Sequence, residues 1–80
     1  MYIIILGAGE VGYSLAKLLS YEKHDIVIIE PDPGRAKRAR EKLDVQVFEG
    51  TGSSPEDLQQ AGVKKADMVV AVSNNDEVNL

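Results

Sequence analysis

Eighty residues with a net charge of −4 at neutral pH describe one small acidic domain, and that charge argues against a general nucleic-acid partner. The chain has no cysteine, which excludes disulfides, thiolate nucleophiles and thiolate metal sites. An apolar fraction of 44% with 28% charged residues is ordinary for a globular domain.

The first apolar run, Tyr2 to Leu6, is too short for a signal peptide and has no basic residue before it. No stretch approaches the ~20 apolar residues of a membrane helix, and a cytosolic chain is expected. Residues 2–6 are continuous and mostly β-branched, the pattern of a strand buried on both faces of a parallel sheet. Gly7-Ala8-Gly9-Glu10-Val11-Gly12 follows at once, and Glu10 to Tyr21 reads as a helix. Its apolar face is expected at Val11, Leu15, Leu18 and Leu19. A polar connection, Tyr21 to Asp25, leads to a second buried strand, Ile26 to Ile29, which Glu30 ends.

Asp32 suits a helix N-cap and Pro33 its first position, so a second helix is predicted to about Leu43. Arg35, Lys37, Arg38, Arg40 and Lys42 surround its thin stripe of Ala36, Ala39 and Leu43 and read as a solvated basic face. Val45 to Glu49 alternates as an edge strand does. Gly50 to Ser53 is a loop, and Ser54-Pro55-Glu56-Asp57 opens a short helix that Gly62 stops. Met68 to Val72 reads as a fourth buried strand, followed by a loop at Ser73 and Asn74. Strands alternating with helices predict right-handed βαβ units and a parallel sheet. The fold class is therefore α/β, a Rossmann-like doubly wound sheet in the strand order 3-2-1-4, with residues 1–80 forming a single, partial nucleotide-binding domain.

The chemistry concentrates at the glycine turn. Gly7 permits the sharp exit from the strand, Gly9 lets a pyrophosphate approach the backbone, and Gly12 lets the helix pack on the strand. The free N–H groups of the first helical turn and the helix dipole then face the anion. Glu30 follows Gly12 by 18 residues, near the ~20 expected of a carboxylate that accepts the ribose hydroxyls. It disfavours a 2′-phosphate, so NAD is expected over NADP. Thr51, Gly52 and Ser53 follow the third strand, on the adenine side, and Ser73 and Asn74 follow the fourth, across the switch point. His24, the only histidine, belongs to the opposite end of the sheet. No catalytic constellation and no metal-ligand spacing is found.

The whole chain resembles the start of the RCK or KTN regulatory domains, the nucleotide-binding parts of Trk-type potassium uptake systems and of some potassium channels. The resemblance rests on Ile3 through Gly12, on Asp25-Ile26-Val27-Ile28-Ile29-Glu30, on Glu49-Gly50-Thr51-Gly52-Ser53, and on Ala66 through Asn79. It implies a non-catalytic sensor that binds NAD⁺ or NADH, or else ADP, ATP or AMP, and passes the ligand state to a membrane potassium transporter or channel subunit. It implies that Gly7, Ala8, Gly9, Glu10 and Val11 hold the pyrophosphate, that Glu30 holds the ribose and that Ser73 and Asn74 touch the ligand. It also implies a homodimer or higher oligomer. The acidic Glu10 weakens the case for ATP. Domains of this kind continue for further βα units, so a fragment or truncation is expected. Two other readings stand beside this one: the cofactor-binding start of an NAD-dependent oxidoreductase, and an engineered minimal Rossmann scaffold.

Overall fold

The computed structural model describes residues 1–72. Four parallel strands, β1 (Tyr2–Leu6), β2 (Asp25–Glu30), β3 (Gln46–Glu49) and β4 (Met68–Ala71), form one sheet in the order β3-β2-β1-β4. Helices α1 (Glu10–Ser20), α2 (Pro33–Lys42) and α3 (Pro55–Gln60) connect them, and a single 3₁₀ turn, Val63–Lys65, follows α3. The expected strand order and alternation are what the chain adopts.

The register explains why the two central strands need to be apolar throughout. Ile3 pairs with Ile26, Ile4 with Val27 and Ile5 with Ile28, so like faces stack across the β1–β2 ladder. Ile3, Ile5, Ile26 and Ile28 pack with Ala16 of α1 and Ala39 of α2 on one face. Ile4, Val27 and Ile29 pack with Ala61, at the end of α3, on the other. A sheet covered on both faces leaves no polar position in its centre.

Two helix starts are those the sequence predicts. The Asp32 carboxylate accepts from the Arg35 N–H at 2.9 Å, and the Ser54 hydroxyl accepts from the Asp57 N–H at 3.2 Å, each with proline at the first helical position.

Two expectations are corrected. The apolar face of α1 is not Val11, Leu15, Leu18 and Leu19 together, because Val11 is 56% and Leu18 59% exposed. The sheet-facing residues are the small ones, Gly12 and Ala16, flanked by Leu15 and Leu19. At roughly 100° per residue, Val11 and Leu18 fall to the side of the face those two define. The fourth strand is not buried: Met68 and Val69 are each 44% exposed. Among the described residues β4 pairs with β1 alone and is an outermost strand of the four described.

Candidate functional site

The β1–α1 turn is built from two close backbone contacts that only glycine allows. Gly7 has φ of +115°, and a Cβ there would stand 2.7 Å from the Val72 carbonyl oxygen at the end of β4. A Cβ on Gly12 would overlap the carbonyl oxygen of Gly7, so α1 rises directly off the turn. The turn is also tied sideways: the Gly7 N–H donates to the Ile29 carbonyl at 2.9 Å, and the Val72 N–H donates to the Leu6 carbonyl at 3.0 Å. The carboxyl ends of β1, β2 and β4 thus meet around Gly7.

Gly9 is the N-cap of α1, with extended backbone and no side chain to cap the helix. Here α1 differs from α2 and α3, whose first turns are capped by Asp32 and Ser54. Among the described residues, no side chain accepts from the N–H groups of Glu10, Val11 or Gly12. These donors, at the positive end of the helix dipole, are what an anion requires.

Glu30 ends β2 and is 1% exposed, the buried charged side chain of the described core. Its Oε1 accepts from the Ala8 N–H at 2.6 Å and its Oε2 from the Asp32 N–H at 2.8 Å. The carboxylate therefore bridges the β1–α1 turn and the β2–α2 turn. Pro31 has no N–H, so Asp32 supplies the first backbone donor after Glu30. The next loop reaches the same corner. The Gly50 N–H donates to the Glu30 carbonyl at 3.1 Å, and a Cβ on Gly52 would lie 2.7 Å from Leu6 Cδ1. Thr51 is exposed there, its N–H held by Asp57 Oδ2 at 2.9 Å.

Of the residues expected at the site, Gly7, Ala8, Gly9, Glu10, Val11, Gly12, Glu30, Thr51 and Gly52 lie on turns that meet at the carboxyl ends of the strands. Ser73 and Asn74 lie outside the described residues. One constellation escaped the sequence reading: the Arg38 guanidinium of α2 lies 4.0 Å from the centroid of the Tyr13 ring and 3.4 Å from Glu10 Oε1. It places a cation against an acid at the lip of the turn, and nothing short of the packed helix pair could reveal it. His24 sits at the amino-terminal end, its Nδ1 3.2 Å from the Met1 ammonium and its Nε2 3.3 Å from Glu22. A cleft of about 390 Å³ opens beside it, between Tyr2, Asp25, Asp44 and Gln46, away from the glycine turn.

Known proteins resemble the chain in sequence and in fold. The Trk system potassium uptake protein TrkA of Halomonas elongata is 48% identical over the whole chain, which spans 18% of that protein's length. The TrkA homologue of Archaeoglobus fulgidus is 50% identical, with 18% of its length covered, and TrkA homologue 1 of Methanosarcina mazei is 52% identical, with 19% covered. The chain thus spans less than a fifth of the length of these curated relatives. Among solved structures, the Kef C-terminal domain of Shewanella denitrificans in its AMP-bound form superposes with a TM-score of 0.73 at 27% identity. It matches 99% of this chain and 47% of its own. The sequence pattern of the family described as TrkA-N domain matches residues 3–80, and the chain belongs to that family.

Proposed function

We propose that the chain is a nucleotide-binding regulatory domain of a potassium uptake system, one that senses its ligand and performs no chemistry. The observation that carries this reading is the glycine-capped N-terminus of α1, its first-turn donors left without a side-chain acceptor at the point where three strands end. Membership of the TrkA-N family supports it, as do relatives named for potassium uptake and a fold neighbour solved with AMP. NAD⁺ or NADH is the preferred ligand, with ADP, ATP and AMP as alternatives. The turn Gly7-Ala8-Gly9-Glu10-Val11-Gly12 holds the phosphates, Glu30 stands on the ribose side and Thr51 and Gly52 stand near the base. Ser73 and Asn74 complete the site from the fourth loop. The partner is a membrane potassium transporter or channel subunit, the location cytoplasmic beside it, and the assembly a homodimer or larger.

Calorimetric titration with NAD⁺, NADH, NADP⁺, ATP, ADP and AMP tests the reading. The groups named here serve the adenosine half, so AMP or ADP is expected to bind nearly as well as NAD⁺, and NADP⁺ worst. A folded chain that binds none of them overturns the proposal. Site-dependent turnover of NADH would replace it with a catalytic one.

A further inference from the structure

The start of α1 sets two anions in competition. Its first-turn N–H groups have no side-chain acceptor, and the helix dipole makes that end attractive to negative charge. Glu10, the first residue of the helix, brings a carboxylate of its own. The field that would draw a phosphate draws this side chain as well. A Glu10 side chain free to fold over the helix end would stand in front of the donors and repel a phosphate entering there.

That side chain is held elsewhere. Arg38 Nη1 of α2 donates to Glu10 Oε1 at 3.4 Å. The guanidinium lies 4.0 Å from the centroid of the Tyr13 ring, and the ring packs against the core beneath α1 and α2. Tyr13 stands about one turn into α1 from Glu10, on the same side of the helix. The cation therefore draws the carboxylate back along the flank of α1, toward α2 and away from the open helix end. A planar guanidinium suits both contacts, because it stacks on the ring while its edge donates to the acid. With side chains 47% and 89% exposed, the pair adds little to stability. Its consequence lies in where it leaves Glu10.

Resting on the nucleotide reading of this site, we propose that Arg38 is a positioning residue for phosphate binding. It holds the Glu10 carboxylate off the α1 donors and offsets its charge, acting through Glu10 and not by taking the ligand itself. Loss of Arg38 should then matter only while Glu10 is charged, and only to a ligand that carries phosphate.

The test is calorimetry on the chain, Arg38→Gln, Glu10→Gln and the double variant, with AMP and with adenosine as the ligand without phosphate. At low salt, Arg38→Gln should weaken AMP about fivefold and leave adenosine unchanged. The loss should fade at about 1 M salt, where charges are screened within about 3 Å. Adding Glu10→Gln to Arg38→Gln should restore AMP binding to within about twofold of the unaltered chain, while Glu10→Gln alone should change it by less than about twofold. Both positions are exposed on helix surfaces, so all four proteins are expected to fold, and melting curves check this. A double variant as weak as Arg38→Gln overturns the inference, because Arg38 then serves the ligand or the fold directly. Equal weakening of adenosine overturns it too, as does a gain from Glu10→Gln that is the same with and without Arg38. If the folded chain binds no AMP, the nucleotide reading fails and this inference with it; if AMP binds and the four affinities show no coupling, only the role of Arg38 fails.

Discussion

Two glycines in one turn do different work, and substitution separates them. At position 12 the obstacle is rigid backbone: a Cβ would overlap the Gly7 carbonyl oxygen, and neither the strand nor the turn can yield without breaking the bond from Gly7 to Ile29. Gly12→Ala should therefore destabilise the fold by about 2–3 kcal/mol, as overpacking against fixed atoms does, and a shift of the urea midpoint reads it directly. At position 9 the backbone is extended, φ −71° and ψ −166°, a conformation open to any residue. Gly9→Val is expected to fold and, if the phosphate binds at this helix start as proposed, to lose nucleotide binding, because its branched side chain would block the approach. Normal binding of AMP by that variant would move the phosphate off this turn. Asp32 offers a third contrast. Its side chain caps α2 while its N–H serves Glu30, so Asp32→Ala removes the cap at a cost of about 1 kcal/mol and leaves the N–H in place. Its melting temperature should fall with little change in affinity.

At the scale of elements, what the sequence made legible was local. Asp-Pro and Ser-Pro starts carry their own hydrogen-bonding logic, which is why α2 and α3 begin where they were expected. The continuous apolar runs of β1 and β2 can be buried only between two helix layers, so the central pair was legible too. The exposures of α1 and β4 were not, because they depend on neighbours. Val11 and Leu18 are as apolar as Leu15, and only the close approach of Gly12 and Ala16 to the sheet decides which side turns inward. The Glu30 carboxylate was found by its spacing, but its backbone partners emerge only when the two turns meet. That β4 is outermost among the described strands has a consequence for the assembly of this chain. Met68, Val69, Val70 and Ala71 contain no lysine or proline to discourage pairing, and such an edge is a template for another strand. The chain is expected to form a homodimer or larger oligomer with Met68, Val70 or Val72 at or near the contact, and Val70→Lys to shift it toward monomer. Light scattering on both checks this; a well-folded monomeric parent, or an oligomer indifferent to the lysine, refutes it.

For the molecule as a whole, small size sets how strongly a ligand is felt. A chain of 80 residues buries only roughly 60–65% of its unfolded surface, so no large reserve of core stability masks the contribution of the site. That site is not an appendage. The glycine turn, the end of β2 and the loop after β3 are joined through Gly7, Ala8, Glu30 and Gly50, and each of those bonds also holds the sheet together at its carboxyl end. A ligand that binds only the folded chain stabilises it by about 2.7 kcal/mol at one hundred times its dissociation constant. In a domain of this length each kcal/mol moves the melting temperature by roughly 4–8 °C, so saturation with the right nucleotide should raise it by roughly 10–20 °C. The ranking of shifts at equal saturation ratios should follow affinity, with NADP⁺ smallest at any common concentration. Gly9→Val should keep a melting point near that of the parent without ligand and show no shift with it, because the donors remain but the approach is closed. Nucleotide-dependent stabilisation that survives Gly9→Val would mean that the ligand binds elsewhere, and the amino-terminal cleft beside His24 would be the place to look.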